Sequence, residues 1–227
     1  MHLPISDKIE LNILHQNSHQ AEKNKIKFNN YNLLCLNIMS SPGAGKTRLL
    51  EITLEDLSKK FHSAVLEGDM TTNLDAARLE KLNIPVVPIT TGRACHLDAN
   101  MVSGGLKLLE KKINPDLLDI LLVENVGNLV CPAEFEIGEH FKVALLSITE
   151  GEDKPLKYPI MFREADLILI TKVDLLPHLN FDINELKSNI ASTNPKADVI
   201  EISSITKSGF DLWQDWISKK ILKFKNI

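Results

Sequence analysis

No stretch limits the folds open to this chain more than Ser40-Ser41-Pro42-Gly43-Ala44-Gly45-Lys46-Thr47. An apolar run, Leu33-Leu34-Cys35-Leu36-Asn37-Ile38-Met39, precedes it and has the length and composition of a buried strand. After it, residues 48–57 place apolar side chains at helical spacing. Strand, glycine-bearing loop, Gly-Lys-Thr and helix together are the context of a phosphate-binding loop. Gly43 and Gly45 let backbone N–H groups surround phosphate oxygens, and the helix that follows points its positive end at the same place. Lys46 offers a charge to the outer phosphates and Thr47 a hydroxyl to Mg2+, with Ala44 and Arg48 completing the lining. Ser40 stands where the usual pattern has Gly. The bland alternative is a plain strand-turn-helix corner, but the flanking elements favour binding of a nucleoside triphosphate.

Composition narrows the setting. The 227 residues suffice for one α/β domain with a full core. A net charge of −4 with both signs interspersed speaks against a nucleic-acid surface or a basic membrane patch. No apolar run approaches the roughly 18 residues of a spanning helix. Asp7, Lys8 and Glu10 fall where a signal peptide would carry its apolar core. Cys35, Cys95 and Cys131 cannot all pair, so a reducing cytoplasm is the expected location.

Residues 1–31 are polar and read as an N-terminal arm or a surface helix, with His2, His15 and His19 as solvated side chains. From residue 32 onward strands and helices alternate. Strands are predicted at 64–66, 84–89, 120–124, 143–147, 167–170 and 199–202, the second of these at a sheet edge because of its prolines. Helices are predicted at 74–82, 97–112, 182–190 and 209–223, with a kink at Gly104-Gly105. Unbroken apolar strands between helices imply a mostly parallel central sheet covered on both faces, the P-loop NTPase form of the α/β class. Residues 32–227 are expected to make one nucleotide-binding domain.

Such a sheet binds its ligand at the carboxyl ends of its strands. Asp69, after the second strand, is a candidate Mg2+ ligand, directly or through water. Glu124-Asn125-Val126-Gly127 resembles the Asp-x-x-Gly switch of GTPases with Glu in the acidic place, and Gly127 offers its N–H to a γ-phosphate. Thr171-Lys172-Val173-Asp174 resembles the Asn/Thr-Lys-x-Asp motif, in which Asp174 would accept two hydrogen bonds from guanine and Lys172 would cover the base. Adenine lacks that donor pair, so GTP and GDP are the expected nucleotides. Ser203, in Ser203-Ser204-Ile205, stands where GTPases often have Ser-Ala-Lys, which leaves backbone contacts to the base as its expected role. Lys46, Thr47, Asp69 and Glu124 are the candidate catalytic residues. Asn128 occupies the place after Gly127 where a water-positioning Gln is common, so slow intrinsic turnover is expected. Lys154 and Lys157 read either as contributors across a dimer or as an ordinary solvated loop.

Gly92-Arg93-Ala94-Cys95-His96 sets a thiol beside an imidazole, and Cys131-Pro132 lies just past the switch. Such ligands suit Ni2+ or Zn2+, yet spacing alone favours two buried cysteines and a helix-capping His. Taken together, Met39 to Thr47, Glu67-Gly68-Asp69, Cys95 to Ala99, Glu124 to Pro132 and Glu150 to Pro159 resemble the HypB family of hydrogenase nickel-incorporation GTPases. The resemblance spans residues 33–223 and accounts for Ser40, since Ser is common there in the family. It implies a SIMIBI-class GTPase that forms a GTP-dependent homodimer and binds nickel or zinc through Cys95, His96 and Cys131. It also implies a HypA-type metallochaperone as partner and a [NiFe]-hydrogenase large-subunit precursor as recipient. The N-terminal Cys-x-x-Cys-Gly-Cys motif and the histidine tract of many members are absent here. The rival readings are a urease-type nickel-insertion GTPase, whose Cys-Pro-His motif is missing because Ala133 follows Pro132, and a small-molecule phosphotransferase. The four arginines (Arg48, Arg78, Arg93, Arg163) support the latter's lid poorly. A metal carrier with a purely structural nucleotide site is a third.

Overall fold

The computed structural model describes residues 5–72 and 74–226, and His2 lies outside them. A helix, α1 (Ile5–Asn30), leads into β1 (Leu34–Ser40) and α2 (Lys46–Leu57). Next come β2 (Ser63–Asp69), α3 (Leu74–Glu80), β3 (Val86–Thr90), α4 (Ala99–Lys112) and β4 (Ile120–Glu124). After β4 lie α5 (Cys131–Glu134), β5 (Phe141–Ser147), α6 (Lys154–Lys157), α7 (Pro159–Glu164) and β6 (Leu167–Thr171). The chain closes with α8 (Ile183–Thr193), β7 (Asp198–Ile202) and α9 (Phe210–Lys225). The strands form one seven-stranded sheet in the order β3-β2-β4-β1-β5-β6-β7, with every pair parallel.

Both faces of the sheet are covered, which is why the strands read as unbroken apolar runs. Leu34, Leu36 and Ile38 of β1 pack with Leu49, Leu50 and Leu54 of α2 and with Trp213 and Ile217 of α9. Leu33, just before the strand, and Cys35 within it turn the other way, toward Phe28 of α1 and Val102 and Leu106 of α4. Met39 joins a third cluster with Met161 and Phe162 of α7 and Leu186 and Ile190 of α8. The proline-bearing run forms β3 at one edge, as its composition requires. His15 and His19 are solvent-exposed on α1.

Two expectations are corrected. The Gly104-Gly105 pair does not loosen or interrupt α4, which runs unbroken from Ala99 to Lys112. Gly105 faces the sheet, where a Cβ would come within 2.6 Å of Ile89 and 3.3 Å of Leu66, so the missing side chain serves close packing. Nor does His96 cap this helix: Asp98 does, accepting from the Met101 N–H at 2.7 Å. The short helices α5, α6 and α7 are too brief to show periodicity in sequence.

A Cβ at Gly104 would meet nothing within 4 Å. Gly104→Ala is therefore expected to stabilise the protein by about 0.5–1 kcal/mol through helix propensity. Gly105→Ala should gain less or lose, because Ile89 must move aside. Thermal unfolding of the two variants under one condition checks this ordering.

Candidate nucleotide and metal site

The loop between β1 and α2 takes up the left-handed backbone conformation at Gly43 (φ 76°) and at Gly45 (φ 104°), the residue that opens α2. Side chains are disfavoured there, and the turn aims the first N–H groups of α2 into a cleft. That cleft, about 450 Å³, is lined by Gly43, Gly45, Lys46, Thr47, Arg48, Glu67, Asp69, Glu124 and Gly127, among others. A second hollow of about 290 Å³ lies on the far side of the loop, walled by Ala44, Thr171, Lys172 and Asp174. The two share Gly45 and Arg48, so one elongated ligand can straddle the loop. Gly127 lies so close to the loop that a Cβ would stand 2.9 Å from Pro42 Cα.

Each departure from the usual motifs has a partner here. Ser40, in place of Gly, is buried and accepts from Lys46 Nζ at 2.9 Å while donating to the Ser41 carbonyl at 2.6 Å. Thr171, in place of Asn, donates to the Ala44 carbonyl at 2.8 Å and so ties the end of β6 to the phosphate loop. Ser203 is fully buried and donates to Asp174 Oδ1 at 2.5 Å, which fixes that carboxylate. This side-chain bond is a different part from the backbone contact expected of Ser203, and sequence gave no signal for it.

The phosphate end carries an acid that sequence reading passed over. Parallel pairing of β2 with β4 sets Glu67 beside Glu124. Both are buried, and Glu67 Oε2 and Glu124 Oε2 have no hydrogen-bond partner. Burial, reinforced for Glu67 by the neighbouring Glu124, pushes the Glu67 carboxyl up to about 8 and that of Glu124 to about 7. Thr47 donates to Glu124 Oε1 at 2.7 Å, which leaves the hydroxyl lone pairs free. Burial lowers the Lys46 ammonium from its usual range. Asp69 lines the cleft, but its carboxylate accepts from the N–H groups of Met70 (2.7 Å) and Thr72 (2.9 Å) and from the Thr72 hydroxyl. The Thr72 hydroxyl bond, with those backbone bonds, holds it below the usual carboxylate range. Lys157 pairs with Asp153 at 2.5 Å and Lys154 lies over the Tyr158 ring, 4.8 Å from its centroid.

Cys95, His96 and Cys131 converge, with ligand atoms all within 4.8 Å of one another. The two sulfurs are 3.0 Å apart, and both thiols are free. The hydrogen bond with Cys95, with burial, raises the Cys131 thiol. His96 packs at a tilt against Phe135 with ring centroids 4.1 Å apart, its Nδ1 is buried without a partner, and burial lowers its pKa, which keeps a lone pair available. Two thiols and a neutral imidazole make a borderline-soft set suited to Ni2+ or Zn2+. The fully buried amide of Asn125 connects the two regions: its Oδ1 accepts from Leu97 N and Val126 N, each at 2.9 Å.

Strand order, phosphate loop and paired hollows define a P-loop NTPase, and similarity to known proteins agrees. The family described as CobW/HypB/UreG, nucleotide-binding domain, matches residues 34–201. The hydrogenase maturation factor HypB of Azotobacter vinelandii is 48% identical over 214 residues, covering 94% of this chain and 69% of that protein. The probable HypB of Methanocaldococcus jannaschii is 38% identical and covers 99% of this chain and 100% of its own. Among solved structures, HypB from Helicobacter pylori in complex with nickel aligns with a TM-score of 0.87 at 39% identity, over 92% of this chain and 96% of that one. The chain belongs to the HypB family of hydrogenase maturation factors.

The Glu67 carboxyl, with a pKa of about 8, holds a proton that the unfolded chain, at an ordinary 4.5, has released. Stability therefore falls as pH rises through that window, since the folded state binds more protons. His140, lowered to about 4, has the opposite effect, which is complete by about one pH unit above its ordinary 6.5. In nucleotide-free protein with EDTA, urea midpoints should drop between pH 6.5 and 8.5, and Glu67→Gln should reduce that drop, leaving the part due to Glu124, which is raised to about 7.

Proposed function

We propose that this protein is a GTP-binding and GTP-hydrolysing metallochaperone that delivers nickel to a [NiFe]-hydrogenase large-subunit precursor. The observation that carries the reading is the convergence of Cys95, His96 and Cys131 beside a nucleotide cleft that ends at Gly127. Cys131 follows Gly127 by four residues, and Leu97, which adjoins His96, is bonded to Asn125 of the same switch segment. A switch that shifts with the γ-phosphate would thus move ligands on both segments, linking nickel affinity to nucleotide state, and reciprocally.

In this reading residues 32–227 are the GTPase domain and residues 1–31 an N-terminal arm. Asp174, positioned by Ser203, selects guanine, and the Lys172 stem covers the base. The loop N–H groups from Gly43 to Thr47 and the Lys46 ammonium hold the phosphates. Thr47 and Glu124, with Asp69, supply the hard oxygen ligands that suit Mg2+, and the orphaned Glu124 oxygen fits a cation there. When bound, Mg2+ would neutralise charge on the phosphate oxygens. No side chain in the switch has the shape of a water-orienting Gln, so turnover is slow and timed rather than rapid.

Three protein ligands leave a tetrahedral position open. Val130, the residue before Cys131, is 47% exposed and offers an apolar side chain to a partner next to the ligand segment. Both features support a homodimer that completes the site when GTP is bound, with a HypA-type metallochaperone as the source of nickel. No helix among the described residues is long and apolar enough to cross a membrane. Free thiols at the metal site suit the cytoplasm.

Nickel titration with GDP and with a non-hydrolysable GTP analogue, tracking mass, tests this. Wild type should bind one nickel per chain, with an affinity and dimer fraction that depend on nucleotide; Cys95→Ala should lose that binding. Nucleotide-driven dimers without Cys95-dependent nickel would refute the delivery role. For the base, Asp174→Ala should weaken GDP by at least about a hundredfold, from the loss of two hydrogen bonds to a charged acceptor. ADP binding should stay unchanged, as fluorescence titration of both nucleotides would show.

A further inference from the structure

The face of helix α1 that packs on the domain carries Asn17, Ala21, Asn24 and Phe28, so two of the four buried side chains described on it are amides. Among its side chains described, Ile13 and Ile26 are more than half exposed, while Asn17 and Asn24 are 5% and 2% exposed. These two asparagines lie two turns apart on one face, and both bridge the same pair of segments. Asn17 Oδ1 accepts from Ala99 N at 2.9 Å, and its Nδ2 donates to the Glu136 carbonyl at 2.8 Å. Asn24 Nδ2 donates to the Ala99 carbonyl at 2.7 Å and to the Ile137 carbonyl at 3.0 Å, while its Oδ1 accepts from Gln20 at 3.0 Å. Gly138 fits α1 so closely that a Cβ would stand 2.5 Å from the Ala21 carbonyl.

The bridged positions are telling. Ala99 opens α4, three residues past His96, and its peptide is held through both its N–H and its C=O. Glu136 and Ile137 follow the short α5 that begins at Cys131. The bonds continue into a closed circuit. Ile137 N donates to Glu139 Oε2, Asn37 Nδ2 to Glu139 Oε1, Asn125 Nδ2 to Asn37 Oδ1, and Leu97 N to Asn125 Oδ1. Apolar packing tolerates sliding, whereas buried hydrogen bonds fix register, because a displaced partner is left unpaired.

We infer that α1 braces the metal site: Asn17 and Asn24 are positioning residues that fix the spacing between the segment carrying Cys95 and His96 and the segment carrying Cys131. The ligands are thereby set before the ion arrives, and part of the ordering cost of binding is met in folding. This inference rests on the reading of Cys95, His96 and Cys131 as nickel ligands.

The test uses the full chain, NiCl2 as probe, and the thiolate-to-nickel charge-transfer absorption as readout. Asn17→Ala/Asn24→Ala should weaken nickel binding by about tenfold or more and alter the absorption band. GDP affinity should stay within about twofold of wild type. Unchanged nickel affinity and spectrum in this variant, with Cys95→Ala still abolishing binding, would overturn the brace and leave the metal site standing. Nickel binding that survives Cys95→Ala would overturn both. Should the double variant not fold, hydrogen exchange of the wild type decides. By linkage, nickel should slow exchange of the α1 amides in wild type but not in Cys95→Ala; no slowing overturns the brace.

Discussion

The functional end of the molecule depends on the parallel pairing of β1 with β4, which sets Ile38 opposite Glu124. Because both strands run the same way, the phosphate loop leaving β1 and the switch segment leaving β4 emerge at one end of the sheet. Gly127 can then touch Pro42, and Thr47 at the start of α2 can reach Glu124. The neighbouring β2 brings Glu67 alongside by the same register. A one-residue slip of β2 or β4 would turn its carboxyl group to the opposite face of the sheet.

Burial gives these groups their chemistry. Two carboxyls side by side in a poorly hydrated cleft resist ionisation together, so a cation is the natural complement to the pair. At the metal cluster the thiols sit on a hydrogen bond to each other, and the imidazole keeps an unshared lone pair. Ion binding there would displace thiol protons, which would tie affinity to pH. The network through Asn125 gives the two regions a shared, buried and directional connection, the kind of contact that has discrete rather than continuous alternatives.

Much of this was legible in the chain. The unbroken apolar runs gave the parallel sheet and the prolines of 84–89 its edge, while the phosphate loop, the switch and the Thr171–Asp174 motif pointed to the loops that line the two hollows. The Gly104-Gly105 pair misled, because a glycine pair reads the same whether it loosens a helix or lets it pack closely. Glu67 drew no attention as a site residue, since a carboxylate in a strand announces neither its burial nor its neighbour.

By itself the sequence determined the class of protein and the family, and it named candidate residues for both sites, because periodicity and short motifs are local and survive without contacts. Only the tertiary structure decided which distant residues meet. It set Cys95 against Cys131, Ser203 on Asp174, Thr171 on the phosphate loop, and Asn17 and Asn24 across the two ligand segments. The physical reason is that a hydrogen bond or a ligand cluster depends on distances of a few ångströms. Those distances are set by strand order and helix docking, which no local pattern encodes.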